Sequence, residues 1–186
     1  MITSIYKIEQ ANKANNKVGR YHYIVFIIWL VFIVIAAKYF IYDSLISFDP
    51  KNRLSGDSSV IVNEIKSSLA LENKLSKKTV IHFTNQNCSC STYTEDHKKT
   101  TDKYSQENGF EIRSIELSEK QSNVIPSTPA VLILDELGEL IYLGPYAEGL
   151  ECSAGSSIVD IVLKNYVKGF NANLIMNDAK GCYCNL

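Results

Sequence analysis

The sequence of 186 residues has no excess of either charge, since 19 lysines and arginines stand against 20 aspartates and glutamates. A chain that binds nucleic acid through its phosphates needs a basic surface, so we expect no nucleic-acid partner. The sequence also contains no internal repeat, no nucleotide or flavin signature and no Cys-x-x-Cys-His haem site. No cofactor is therefore expected, and the composition of 46% hydrophobic and 21% charged residues is that of one globular domain with an accessory segment.

Charged side chains are missing from Tyr21 to Ala37, and Lys38 is followed by further apolar residues up to Tyr42. A helix over residues 21–42 would rise roughly 33 Å, enough to cross a hydrocarbon core of about 30 Å. The sequence therefore predicts one transmembrane helix at 21–42 in contact with the lipid bilayer. The alternative is a cleaved signal peptide, although Ala36-Ala37-Lys38 is a poor cleavage site and the apolar stretch is long.

The charges that flank this helix are asymmetric. Four basic residues and one acidic residue, Glu9, precede the helix, and two acidic residues follow it. The basic residues are Lys7, Lys13, Lys17 and Arg20, and the acidic residues that follow are Asp43 and Asp49. The positive-inside rule places residues 1–20 in the cytoplasm. We therefore expect a single-pass protein of the bacterial inner membrane whose C-terminal domain lies in the periplasm, where cysteines can cycle through disulfides.

Hydrophobic periodicity in the exported part predicts the element order α-β-α-β-β-β-α. A linker at 43–56 precedes a domain at 57–169, which a Cys-containing tail at 170–186 follows. The expected elements are a helix near 59–72, a strand at 79–84, a long helix at 89–108, a strand at 110–117, a hairpin of 130–135 with 139–144, and a helix from about 155 to 169.

The five cysteines are unevenly placed. Cys88 and Cys90 come just after the predicted strand at 79–84, at a helix start, where free backbone N–H groups stabilise a thiolate. Cys182 and Cys184 form a second Cys-x-Cys near the C-terminus, and Cys152 lies between the two pairs. Because the number is odd, at least one thiol is free, intermolecular or bound to something else at any moment.

The exported part resembles the thioredoxin superfamily over roughly residues 57–169. A buried strand ends at Phe83 and leads to Cys88 with the family's spacing, Thr128-Pro129 stands where the family carries a cis-proline, and a hairpin follows. The resemblance implies an α/β, thioredoxin-like fold with a central mixed sheet of about four strands flanked by helices. The sequence departs from the usual Cys-x-x-Cys, because Ser91 occupies the second cysteine position.

The resemblance implies a membrane-anchored thiol–disulfide oxidoreductase that acts on periplasmic protein or small-molecule thiols and disulfides. Cys88 would be its nucleophile and Cys90 the nearest second thiol, in a tight ring whose strain favours an oxidising or isomerising potential. Pro129, if cis, would expose a groove for an extended peptide, with Thr128 facing the cysteines. His82 stands where the family has a buried acid, so it is either a proton acceptor or a core histidine held by one hydrogen bond.

Several alternatives stay open for the remaining residues. Topology places Cys152 at the same end of the sheet as Cys88, and the tail is long enough to return Cys182 and Cys184 there as a second redox pair, a local staple, or a bridge to Cys152. The four thiols of the two pairs, Cys88, Cys90, Cys182 and Cys184, could instead bind copper or zinc. A catalytically idle interaction domain is a third possibility, and His97 is expected at the surface or partly packed.

Overall fold

The computed structural model describes residues 19–42, 45–71, 77–118, 121, 123–149 and 157–186. The chain divides into two compact units, Met1–Asp43 and Ser44–Leu186. The described part of the first unit is helical, and the second unit is a mixed α/β structure that contains both Cys-x-Cys pairs.

Helix α1, Arg20–Ala37, forms most of the described part of the first unit and continues into a π-helical turn at Lys38–Tyr42. None of the α1 side chains is buried. The segment Arg20–Phe40 has a mean hydropathy of 2.4, so this helix is long and apolar enough to cross a membrane. A signal sequence near an N-terminus meets the same criterion of length and composition.

The second unit is built on a five-stranded mixed sheet. Its elements in chain order are β1 (Ile46–Ser47), α2 (Ser58–Ser68), β2 (Thr79–Thr84), α3 (Cys90–Tyr93), α4 (Glu95–Glu107), β3 (Glu111–Glu116), β4 (Ser127–Thr128), β5 (Ala130–Leu134), β6 (Leu140–Gly144), α5 (Ile158–Val167), β7 (Leu174–Ile175), β8 (Lys180–Gly181) and β9 (Cys184–Asn185). The sheet order is β3-β2-β5-β6-β7. Strand β2 runs parallel to β3 and antiparallel to β5, and β6 is antiparallel to β5 and parallel to β7.

Alternation along the central strands creates one hydrophobic cluster on each face of the sheet. On β2, Ile81 and Phe83 join the cluster that receives α2, whereas Val80 joins the cluster that receives α5. Five of the six residues of β2 are buried. The continuous apolar run at 79–84 therefore predicted a strand covered on both sides, as observed.

The sheet has one strand more than the four expected. The added strand, β7, comes from the segment interpreted as a polar tail, and β8 and β9 follow it in the same segment. Residues interpreted as a linker are also part of the fold, because Phe48 and Leu54 are buried in the α2-side cluster. Strand β1 pairs with β8, so the N-terminal and C-terminal segments of this unit are in contact, and β4 pairs with β9.

The single long helix expected at 89–108 is interrupted. Thr94 separates α3 from α4, and both its backbone N–H and its hydroxyl donate to the carbonyl oxygen of Ser91. The inward face of α4 carries His97, Thr101 and Ser105, one residue per turn, and all three are buried. His97 is 1% exposed, so the expectation of a surface or partly packed histidine was wrong.

Candidate functional site

The turn after β2 delivers the first cysteine pair to one end of the sheet. The Asn85 side chain donates to the carbonyl oxygen of Leu117 at 3.1 Å and accepts from the backbone N–H of Asn87 at 2.8 Å. The N–H of Cys88 then donates to the Asn85 carbonyl oxygen at 3.1 Å, which closes the turn. Cys88 and Cys90 are 5% and 8% exposed, so their sulfurs are nearly enclosed by protein.

Two disulfides join this pair to the tail: Cys88 to Cys184 and Cys90 to Cys182. The Cα–Cα separation is 5.7 Å in both bridges. Residues 88–90 and 182–184 thus lie antiparallel, side by side, and each sulfur meets its partner across the gap. A Cys88–Cys90 ring was expected, but both sulfurs are already engaged by the tail, and the argument from ring strain does not apply to this connectivity.

The tail lies against the residues that precede Pro129. Strand β9 pairs antiparallel with β4, and Cys184 is opposite Thr128 in register. The carbonyl oxygen of Thr128 lies 3.4 Å from the sulfur of Cys88, and the Thr128–Pro129 peptide bond is cis. The strand edge beside Pro129 is therefore occupied by a segment of the chain itself.

Two further contacts hold the tail in place. The Tyr183 ring packs edge-on against Phe48 at 5.4 Å between centroids, and its hydroxyl donates to the carbonyl oxygen of Ala147 at 2.7 Å. A Cβ at Gly181 would lie 2.7 Å from the Tyr183 ring, so this close approach requires glycine. Gly149 pairs with Gly181, which brings the loop after β6 to the cysteine end of the sheet; Cys152 itself lies outside the described residues.

A buried histidine lies in the strand that leads to these cysteines. His82 is fully buried, with its Nε2 atom 2.6 Å from Oδ1 of Asp102 on α4 and its Nδ1 atom hydrogen-bonded to the hydroxyl of Tyr146. The two rings are parallel within 4°. Lys98, one turn before Asp102, donates to the other carboxylate oxygen at 2.9 Å. The interpretation of a core histidine held by a single hydrogen bond was wrong, because both ring nitrogens have partners.

Burial determines the protonation states of His82 and Tyr146. Desolvation lowers the pKa of His82, and the nearby Lys98 charge acts in the same direction, while Asp102 opposes both. Burial also raises the pKa of Tyr146 well above its usual value, with a smaller contribution from Asp102. Near neutral pH the site therefore holds a neutral imidazole and a protonated phenol.

A cleft of about 350 Å³ is lined in part by residues that adjoin the disulfide site in sequence. Its walls include Ser91, which follows Cys90, and Pro129, which follows Thr128. Tyr146 and Lys98 also line it, so two members of the His82 hydrogen-bond chain face the same cleft.

The sulfurs of Cys88, Cys90 and Cys184 all lie within 4.8 Å of one another. Cys182 is bonded to Cys90, so its sulfur adjoins the same cluster. Thiolates at this separation suit a soft metal such as Cu(I) or Zn(II) once the disulfides are reduced. The four cysteines predicted as alternative metal ligands are therefore together in space, in a bonded state that offers no thiolate.

Sequence reasoning missed Tyr146, Asp102 and Lys98. Lys98 and Asp102 are four residues apart on α4, a spacing that places both on one helix face. Tyr146 follows β6 by two residues, in the loop that topology assigned to the cysteine end of the sheet. The spacing of Lys98 and Asp102 can be seen in the sequence. The hydrogen-bond partners of His82, however, lie 20 and 64 residues away, and no local spacing identifies them.

Comparison with curated proteins finds no match. Among solved structures, an uncharacterized conserved protein from Geobacillus kaustophilus is similar at 13% identity and a TM-score of 0.47, over 62% of this chain and 79% of that one. A hypothetical protein from Sinorhizobium meliloti 1021 is similar at 14% identity and a TM-score of 0.45, over 63% of this chain and 82% of that one. The family model described as a domain of unknown function, DUF6436, matches residues 59–186, and the chain belongs to that family.

Proposed function

We propose that this protein is a membrane-anchored thiol–disulfide oxidoreductase with a thioredoxin-like fold, in which the C-terminal Cys-Tyr-Cys is the internal partner of Cys88 and Cys90. The observation that carries the proposal is the pairing of Cys88 with Cys184 and of Cys90 with Cys182. A pair of disulfides that joins two Cys-x-Cys segments can accept electrons and return to the same state by simple exchange.

The fold assignment is supported by the arrangement around the site. Strand β2 leads to Cys88, and the strand beside it, β5, begins just after Thr128 and Pro129. A mixed sheet with a closing antiparallel hairpin, β5 with β6, is common to thioredoxin-like proteins and is present here.

The difference in burial between the two sulfurs of one bridge favours a direction of attack. Cys88 is 5% exposed, whereas Cys184 is half-buried. When a partner thiolate attacks Cys88, the sulfur released is that of Cys184, which water can solvate. Release of Cys88 would leave a thiolate in a nearly dry site, at a higher free-energy cost.

The exchange balances as two steps. A partner thiolate attacks the Cys88 sulfur, a mixed disulfide forms, the Cys88–Cys184 bond breaks, and Cys184 keeps the electron pair and takes a proton. A second partner thiol then attacks the mixed disulfide and releases Cys88. The partner dithiol is oxidised to a disulfide, and the protein disulfide is reduced to two thiols; the reverse sequence reduces a partner.

The helix α1 supports the location of this chemistry. A membrane helix with basic residues before it and acidic residues after it would place the second unit in the periplasm, where disulfides persist. The partners would be periplasmic proteins or small molecules that carry thiols or disulfides.

Adduct formation on a variant that lacks Cys184 tests the proposal. Every protein in the test also carries Cys152→Ser, because the fifth cysteine would otherwise take glutathione itself. In Cys184→Ser, Cys88 loses its internal partner, so reaction with glutathione disulfide should leave one stable glutathione adduct on Cys88, detected by mass spectrometry of the intact full-length protein. The reference protein with both Cys-x-Cys pairs, reduced and treated in the same way, should resolve the adduct into its own disulfide. The proposal fails if Cys184→Ser takes no adduct or if the added Cys88→Ser change leaves the adduct in place.

A metal-binding function is the second candidate, because three of the sulfurs lie within 4.8 Å of one another. Anaerobic reduction followed by titration with Zn²⁺ or Cu⁺ separates the two functions. Binding of one ion per chain that survives dialysis, and that Cys184→Ser abolishes, would favour the metal site. Return of both disulfides on exposure to air, with no retained metal, would favour the oxidoreductase.

A further inference from the structure

A chain of hydrogen bonds runs from Tyr146 through the buried His82 to helix α4, and both of its end residues line the cleft. Its members in order are the hydroxyl of Tyr146, the ring of His82, the carboxylate of Asp102 and the ammonium group of Lys98. The two inner groups are tightly held, because the His82 side chain is fully buried and Asp102 is only 21% exposed. This arrangement is assembled from β2, α4 and the loop after β6, and the proposed exchange at Cys88 does not by itself require it.

The direction of each hydrogen bond follows from the partners. The Asp102 carboxylate only accepts, so Nε2 of His82 carries the proton and donates it at 2.6 Å. The other ring nitrogen, Nδ1, is then an acceptor, and the Tyr146 hydroxyl donates to it. Tyr146 is thus poised to pass its own proton inward and to receive another at its oxygen.

The outer end of the chain opens to the cleft. Tyr146 is 2% exposed overall and lines the cleft together with Ser91, Pro129 and Lys98. Pro129 joins this cleft to the disulfides, because the carbonyl oxygen that precedes it lies 3.4 Å from the sulfur of Cys88. A thiol bound in the cleft therefore lies against Tyr146 and against Pro129, whose preceding residue contacts Cys88.

We propose that Tyr146 is a catalytic residue that exchanges a proton with a partner thiol bound in the cleft, and that His82 and Asp102 are positioning residues that receive and stabilise this proton. The inference rests on the proposed thiol–disulfide exchange and adds to it a source and a destination for the proton. It assigns the cleft to the thiol group of the partner.

The proton and the electrons balance in one sequence. The partner thiol R–SH gives its proton to the Tyr146 oxygen while Tyr146 gives its own proton to Nδ1 of His82. The thiolate R–S⁻ attacks Cys88, the R–S–S–Cys88 bond forms, and the bond to Cys184 breaks with the electron pair on the Cys184 sulfur. Cys184 takes a proton from water, and the imidazolium of His82, paired with Asp102, returns its proton through Tyr146 to the hydroxide that this leaves.

The electrostatics of the surroundings suit this role. The charged groups that face the chain are Asp102 and Lys98 on α4, with Glu95 at the cleft wall. Because the pKa of His82 is lowered by burial, the imidazole is neutral and able to accept a proton at neutral pH. Because the pKa of Tyr146 is raised, the phenol relays a proton and does not itself become a stable anion.

The test is the pH profile of disulfide exchange in the full-length protein. Oxidised wild type and Tyr146→Phe react with dithiothreitol across pH 5 to 10, and released protein thiols are counted by alkylation and mass spectrometry. Tyr142→Phe is the matched control, because the Tyr142 hydroxyl is also buried and donates to a backbone carbonyl, that of Pro145, at 2.6 Å. General base catalysis is worth about 100-fold or more in favourable cases.

We expect Tyr146→Phe to lower the rate constant at least about tenfold between the pKa of His82 and that of the probe thiol. The deficit should vanish at higher pH, where the probe is already a thiolate, and at lower pH, where His82 is protonated. Tyr142→Phe should leave the profile unchanged.

A deficit of equal size at every pH, or the same deficit in Tyr142→Phe, would mean that Tyr146 is only structural and would overturn the inference. If wild-type protein releases no thiols at any pH, the proposed exchange itself fails. If wild-type protein releases thiols and Tyr146→Phe has the same profile, only the inference about Tyr146 fails.

Discussion

Cys184 lies opposite Thr128 in the antiparallel ladder of β9 with β4, and its sulfur is bonded to Cys88, whose own sulfur touches the Thr128 carbonyl oxygen. The tail therefore uses backbone pairing and a covalent bond at the same place. The groove beside Pro129 was expected to receive an extended peptide, and here the tail itself occupies this edge.

The connectivity of the disulfides is the first prediction. Cys90→Ser/Cys182→Ser leaves Cys88 with its observed partner, and we expect it to oxidise fully to one disulfide. The crossed variant Cys90→Ser/Cys184→Ser leaves Cys88 with Cys182. Because Cys182 lies opposite residue 90 and not opposite residue 88, this variant should oxidise more slowly and less completely. Thiol counting under denaturing conditions after air oxidation compares the two. Equal oxidation of both variants would contradict the pairing.

The stability of the second unit should respond to the two bridges in a non-additive way. Either bridge closes a loop of more than ninety residues, with separations of 96 and 92, for which chain entropy gives about 4.6 kcal/mol. Once one bridge is closed, the second closes only a short extra loop. Loss of one bridge should therefore cost much less free energy of unfolding than loss of both, as urea unfolding in detergent can show. Additive losses would contradict this account.

The stability of the fold should fall in mild acid because of His82. Its pKa is lowered in the folded state from the ordinary value of 6.5, so the unfolded chain binds a proton first as the pH falls. The contribution is complete above pH 6.5 and is lost below it, with a slope of at most about 1.4 kcal/mol per pH unit. His82→Gln should remove this slope, and His22→Gln, in the other unit, should not. Urea unfolding at several pH values measures both.

The serine before Thr128 ties three segments together. The Ser127 hydroxyl is buried, 2.6 Å from the carbonyl oxygen of Phe48 and 2.7 Å from the side-chain amide of Asn185. We expect Ser127→Ala to destabilise the unit by about 1–3 kcal/mol, because the buried carbonyl oxygen of Phe48 loses its hydrogen-bond donor. Reduction of the disulfides by dithiothreitol should also be faster. Ser118→Ala, at an exposed hydroxyl, is the control, and equal effects of the two changes would refute the assignment.

The part of the fold that sequence predicted is the part that local pattern controls. Strand β2 was located at Thr79–Thr84 because a continuous branched apolar run has few other uses, and the hairpin of β5 with β6 was located from its two apolar runs around Gly138. The strands β7, β8 and β9 have two residues each. No periodicity can show in two residues, and their partners lie far away in sequence.

At the site, too, local features were predictable and long-range contacts were not. The position of Cys88 at the end of β2 is a local feature and was predicted, whereas its bond to Cys184 depends on how the tail packs across Phe48 and β4. The contact of His82 with Tyr146 spans 64 residues. Local pattern could suggest that His82 is inside, but only packing determines which groups hold it.

Strand β1, the first strand after α1 along the chain, rests on the cysteine-bearing tail. Ile46 and Ser47 pair with β8, and the backbone N–H of Phe48 donates to the carbonyl oxygen of Ala179 at 2.8 Å. Opening of the disulfides frees the tail from its covalent attachment, so the pairing of β1 with β8 should weaken too. Hydrogen exchange at the backbone N–H of Phe48 should therefore accelerate on reduction. The attachment of β1 to the rest of the second unit would thereby depend on redox state.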